Sequence, residues 1–91
     1  MEDLIAKELY KSEKLYKEII AFCDGCNDNF KFYYLGISKD IITDKVIKEV
    51  GLNDFIKKYG KALILYECDG CKSSKTLLTL QQYGIFNYDN I

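Results

Sequence analysis

The sequence predicts a small α+β domain built around a single core. Three observations carry that expectation. The chain has 91 residues, room for one core and little more. Helix-period stretches at the N-terminus and in the centre alternate with apolar, β-branched and aromatic runs that read as strands. The tetrapeptide CDGC occurs twice, at residues 23–26 and 68–71, and accounts for all four cysteines.

The elements follow in order. From Glu2 to about Tyr16, the apolar residues Leu4, Ile5, Leu9, Leu15 and Tyr16 recur among lysines and glutamates, the spacing of an amphipathic helix with a gap at Ser12. KEIIAFC then reads as a strand entering the first cysteine pair, because KALILYEC occupies the same place before the second. After the first pair, NDN marks a turn and FKFYYLGI an aromatic strand, so residues 18–36 are expected to form a hairpin with CDGC near its tip. A central helical hairpin covers residues 39–60. TDKVIKEVG offers Thr43 or Asp44 as N-cap and Gly51 as stop; LNDFIKKYG offers Asn53 or Asp54 as cap and Gly60 as stop. ALILYE is the next strand. SSKTLLTLQQYG is a helix capped by Ser73 or Ser74 and ended by Gly84, and IFNYDNI is a last short strand.

Composition narrows the function. At 48% apolar and 30% charged residues the chain is globular rather than disordered. No apolar run approaches the roughly 20 residues of a membrane span, so no membrane role is expected. The N-terminus lacks the apolar centre of a secretion signal, and a cytoplasmic location with reduced thiols is the expectation. The chain has no histidine, arginine or proline, and all 13 basic residues are lysine. Imidazole acid–base chemistry and the bidentate guanidinium fork are therefore absent. The net charge of −1 provides no overall basic field for a polyanion.

The cysteines carry the chemistry. A C-x-x-C turn sets two sulfurs on one side of a tight bend, and two such turns supply the four thiolates of a closed tetrahedral site with metal–sulfur bonds of about 2.3 Å. Cys23, Cys26, Cys68 and Cys71 are the expected ligands. Gly25 and Gly70 are expected to supply the positive φ of the bends, with Asp24 and Asp69 bonded to nearby amides. Zinc is the expected ion, with iron the alternative for a four-thiolate set. Metal-free dithiols and structural disulfides are the other readings. Such a site matters in a short chain, which buries only about 60–65% of its unfolded surface. Four thiolates around a divalent ion leave a formal charge of −2, and Lys72 and Lys75 are candidates to offset it from just outside the ligand shell.

Cys23, Cys26, Cys68 and Cys71 with their immediate flanks resemble the broad class of four-cysteine zinc ribbons and treble clefs. A first pair in a hairpin and a second pair opening a helix, CKSSKTLLTL, looks more like a treble clef. The resemblance implies two CxxC turns joined at one zinc site in a zinc-finger-type domain. The chain departs from that pattern at Asn27 and Lys72, where such turns often carry glycine, and in the long gap between its pairs. A second likeness competes. ALILYECDGCKSSKTLLTLQQYGIFNY is similar to the strand–CxxC–helix–Gly-Ile–strand run of glutaredoxins, which implies thiol–disulfide chemistry with Cys68 activated at a helix N-terminus. Against it, the chain has no proline to face the active sulfur, and only seven residues follow Gly84.

Two kinds of partner are in play. For nucleic acid, residues 57–75 place Lys57, Lys58, Lys61, Lys72 and Lys75 against Glu67 and Asp69, and Phe30, Phe32, Tyr33 and Tyr34 would stack on bases if exposed. TDKVIKEVGLNDFIKKYG also compares with a helix–turn–helix, although Ile47 stands where that motif wants a small residue. For protein, the near-neutral charge, the absent arginine and the eight tyrosines suit an interaction module or a self-associating subunit better. The sequence therefore leads to a non-enzymatic, zinc-stabilised binding domain with a protein partner or a homodimer, ahead of nucleic acid.

Overall fold

A computed structural model describes residues 2–12 and 15–89. Among them, four helices and five strands follow one another as α1 (Glu2–Ser12), β1 (Glu18–Cys23), β2 (Asp28–Ile37), α2 (Asp44–Val50), α3 (Leu52–Leu63), β3 (Ile64–Cys68), β4 (Ser74–Thr76), α4 (Leu77–Tyr83) and β5 (Ile85–Asp89). The strands form one antiparallel sheet in the order β4-β3-β2-β1-β5. The α+β expectation holds.

Period-two alternation explains the sheet's two faces. Ile19, Ala21 and Cys23 on β1, Phe32 on β2, and Ile64, Tyr66 and Cys68 on β3 are buried and form one face. Helix α4 packs on β1 and β3 from this side, α3 lies against β3 and β4, and α1 and α2 pack on α3. Phe55, Ile56 and Leu63 of α3 and Leu77 and Leu80 of α4 complete the core with Ile5 and Leu9. The Tyr66 hydroxyl, buried in this layer, donates to the Tyr16 carbonyl at 2.8 Å, so the ring's polar end is satisfied. The opposite face carries Glu18, Lys31, Tyr33 and Glu67 toward solvent. No described helix is long and apolar enough to cross a membrane.

Several boundaries differ from the sequence reading, each for a local reason. Helix α1 ends at Ser12; Leu15 and Tyr16 lie beyond it, with Leu15 buried outside the helix. Gly51, at φ 83°, ends α2 as expected, and Thr43 caps it by accepting a hydrogen bond from Val46 N at 3.2 Å. Neither Asn53 nor Asp54 caps α3, which starts directly after Gly51. Gly60 does not stop α3 either. It is buried, and a Cβ there would lie 3.2 Å from Leu9 Cδ2, so the glycine lets α1 approach α3 closely. Thr76, not Ser73 or Ser74, caps α4, accepting from Thr79 N at 3.2 Å. The central pair α2–α3 is a helical hairpin whose long second helix is built into the core.

Candidate metal centre

The two CDGC turns reach one place because of strand order. Strands β1 and β2 form a hairpin with residues 24–27 at its tip, and β3 and β4 form another closed by residues 69–73. Pairing of β2 with β3 sets the hairpins side by side, with Phe32 opposite both Ile19 and Cys68. Asp69 N donates to Lys31 O at 2.9 Å, fastening the second turn to the first hairpin. Cys23 and Cys68 end their strands facing the core and are buried; Cys26 is half-buried and Cys71 exposed.

All four Sγ atoms lie within 4.8 Å of one another. The contacts run across the hairpins: Cys23 to Cys71 at 3.6 Å and Cys26 to Cys68 at 3.7 Å. A tetrahedron with metal–sulfur bonds of about 2.3 Å has sulfur–sulfur edges of about 3.8 Å. Both contacts fit that edge, and both are far longer than the roughly 2.05 Å of a disulfide. The four cysteines are positioned to bind a metal ion. The first cysteine of each turn meets the second cysteine of the other, so the turns are related by an approximate two-fold exchange.

The glycines serve this geometry differently from the sequence reading. Gly25 and Gly70 do not have positive φ; Asn27 (53°) and Lys72 (62°) do. These are the two positions where the resembling turns carry glycine, so the bend survives there in an asparagine, which tolerates the left-handed region, and a lysine, which adopts it rarely. What Gly25 and Gly70 provide is room. A Cβ at Gly25 would sit 3.2 Å from Cys71 Sγ, and one at Gly70 would sit 3.0 Å from Cys26 Sγ and 2.8 Å from the Phe30 ring. Each glycine therefore lets the opposite turn's outer sulfur close in.

Lys72 and Lys75 stand beside the cluster and engage the turn aspartates. Lys72 Nζ lies 3.3 Å from Asp69 Oδ1 within its own turn, while Lys75 Nζ reaches Asp24 Oδ1 across the hairpins at 2.9 Å. The Tyr83 hydroxyl donates to the other Asp24 oxygen at 3.3 Å. Lys75 holds the Asp24 carboxyl below its ordinary range, and Asp24 in turn raises Lys75. As thiols, Cys26 and Cys71 are not equivalent. Hydrogen bonding from the Ser73 hydroxyl (3.0 Å) and then its backbone lowers Cys71 to about 6. Desolvation, followed by hydrogen bonds to the neighbouring thiols, pushes Cys26 up to about 12.

Other sequence expectations fall elsewhere. The second cysteine pair does not open a helix: β4 intervenes, and α4 starts at Leu77. The helix N-terminus invoked to activate Cys68 is therefore not at Cys68. Of the β2 aromatics only Phe32 is buried; Phe30 and Tyr33 are each 37% exposed and Tyr34 38%. Phe30 lies against Gly70, Tyr34 packs edge-on against Tyr66 (5.9 Å), and Tyr33 sits on the other face between Glu18 and Glu67 in register. Lys57, Lys58 and Lys61 line a cleft beside α3, together with residues of α1 and α4. Sequence reasoning missed Ser73, Phe30 and Tyr83 as neighbours of the site; a hydroxyl two residues after Cys71 was the available signal for Ser73 alone.

Compared with known proteins, the chain matches no family model, and no curated protein or solved structure is significantly similar to it.

Proposed function

We propose that the protein is a small zinc-stabilised binding module that presents its surface to a protein partner or to a second copy of itself. The observation that carries this reading is the meeting of four sulfurs from two hairpin tips within 4.8 Å. Four thiolates complete a tetrahedron and leave no position for water, which is the arrangement of a structural site rather than a hydrolytic one. Soft thiolates suit zinc, with iron as the alternative ion. A structural zinc contributes about 10–16 kcal/mol in small peptides, as much as the whole stability of an ordinary domain. Here it would join the two hairpins on which the helices rest.

A protein partner is favoured over nucleic acid by where the charges fall. Lys72 and Lys75 are paired with aspartates, and the exposed Tyr33 stands in register between Glu67 and Glu18, the latter within 4.0 Å of Lys31, so no cluster of unpaired cations lies beside that ring. Thiol–disulfide chemistry of the glutaredoxin type loses its main support with α4 starting after β4.

Elemental analysis of protein purified without added metal, paired with a free-thiol count, tests the reading. The expected result is one zinc per chain and thiols that react only after chelation. Iron would replace the ion and keep the architecture. Reactive thiols with no metal would instead establish a dithiol protein.

A further inference from the structure

We infer that the cleft between α1, α3 and α4 is a docking groove for an acidic amphipathic segment of a partner protein. The inference rests on the protein-binding reading above and gives that reading a surface. The cleft has a volume of about 590 Å³. Buried Ile56 and Gly60 line its depth, and Leu78 of α4, 42% exposed, is a large apolar side chain with incomplete cover. Lys57, Lys58 and Lys61 stand along the same cleft.

The charge arrangement selects the occupant. Lys11, Lys31, Lys72 and Lys75 each have a carboxylate within 4.0 Å. Among the described residues, Lys57, Lys58 and Lys61 have none; Lys7, Lys17, Lys45 and Lys48 have none either, but the first three stand together along one cleft. The one acidic side chain of the cleft, Glu8 of α1, is already within 3.4 Å of Lys11. Three lysines without acidic partners beside apolar surface complement a segment that presents a leucine- or phenylalanine-sized side chain flanked by carboxylates. Length agrees: Asn53 to Lys61 spans about 12 Å of helix, enough to receive two turns of a partner helix.

A nucleic-acid strand fits less well. No aromatic side chain lines the cleft for base stacking, and apolar depth offers nothing to phosphates. Lys57 and Lys61 lie one helical turn apart on α3, which matches carboxylates at i and i+4 of a partner helix.

The test is selection of random 12-residue peptides displayed on phage against the metal-loaded full chain, followed by calorimetry on synthetic copies. Selected peptides should concentrate Asp and Glu around Leu, Ile or Phe. Their affinity should fall about tenfold in the double variant Lys57→Glu/Lys61→Glu and similarly in Leu78→Asp, and should weaken with salt. Thermal unfolding of the variants, measured alongside, separates lost docking from lost folding; the conservative pair Lys57→Arg/Lys61→Arg should retain binding. Peptides without acidic bias, whose binding ignores these substitutions, would overturn the groove while leaving a protein-binding function in place. A failure to select any peptide, with a single-stranded 20-mer oligonucleotide shifting the amide signals of Lys57 and Lys61, would overturn both.

Discussion

The two CDGC turns share four letters and a reciprocal geometry, yet their outer sulfurs sit in different surroundings. In the first, the outer sulfur of Cys26 is half-buried and its thiol is pushed up to about 12. In the second, the outer sulfur of Cys71 is exposed, hydrogen-bonded to Ser73, and lowered to about 6. Asp24 is held from the other hairpin by Lys75 and from α4 by Tyr83, whereas Asp69 pairs within its own turn with Lys72. The tetrapeptide therefore sets which donor atoms each turn offers and their spacing. The basicity of each outer sulfur comes from surroundings that differ between the turns. Burial penalises a lone thiolate, and a donated hydrogen bond supports one.

The largest effect that would expose this difference is the pH dependence of metal affinity. Metal binding needs thiolates, so affinity falls as pH falls. In the folded cluster Cys71 is already ionised above about pH 6. Binding should then release more protons below pH 6 than above it, because above that value Cys71 no longer contributes one, so the fall of affinity with pH should steepen below pH 6. Competition with a chromophoric chelator across pH measures the slope. A slope of four throughout would mean that the turns are equivalent before the ion arrives.

A smaller effect should separate the two glycines. Neither position has positive φ, so alanine there carries a packing cost and no backbone penalty. Gly70→Ala places a methyl group 3.0 Å from Cys26 Sγ and 2.8 Å from the Phe30 ring, and Gly25→Ala places one 3.2 Å from Cys71 Sγ. Gly70→Ala should destabilise by about 1–3 kcal/mol. Gly25→Ala should cost less, because its closest contact is the exposed sulfur. Chemical denaturation of the metal-loaded variants gives the ranking, and equal costs would show that the turns pack alike.

The smallest effect concerns the lysines. Lys75→Ala breaks a contact between the hairpins, and Lys72→Ala one inside a turn. Both are surface ion pairs of small worth, so only a modest drop in Tm is expected, larger for Lys75→Ala and reduced at high salt. Because the Asp24 carboxyl is held below its ordinary range, the Lys75 contribution is present above that range and is lost as pH falls through the folded value. A larger drop for Lys72→Ala would contradict the cross-hairpin clasp.

Much of this molecule was legible along the chain because it depends on near neighbours. Alternation in EIIAFC and ILYEC marked two strands whose buried residues are those the period requires. Thr43 and Gly51 bounded α2, and Gly84 ended α4, by local hydrogen bonding and backbone geometry. The C-x-x-C spacing announced the sulfur pairs. Where two local signals competed, the chain was ambiguous. Ser73, Ser74 and Thr76 are all competent caps, and β4 pairing with Leu65–Glu67 takes Ser74 into a strand and leaves the cap to Thr76. Gly60 looked like a stop because its role depends on Leu9, a residue of another helix.

By itself, then, the amino-acid order determined the α+β class, most elements and the four candidate sulfur ligands, since periodicity and turn chemistry act over a few residues. Only the tertiary structure decided which sulfur is exposed and that Gly25 and Gly70 provide clearance rather than curvature. It also decided that Asp24 finds Lys75 and that three lysines share a cleft with Leu78. Those facts depend on which strands and helices become neighbours in space, and no local signal in the chain encodes the distance between residues so far apart along it.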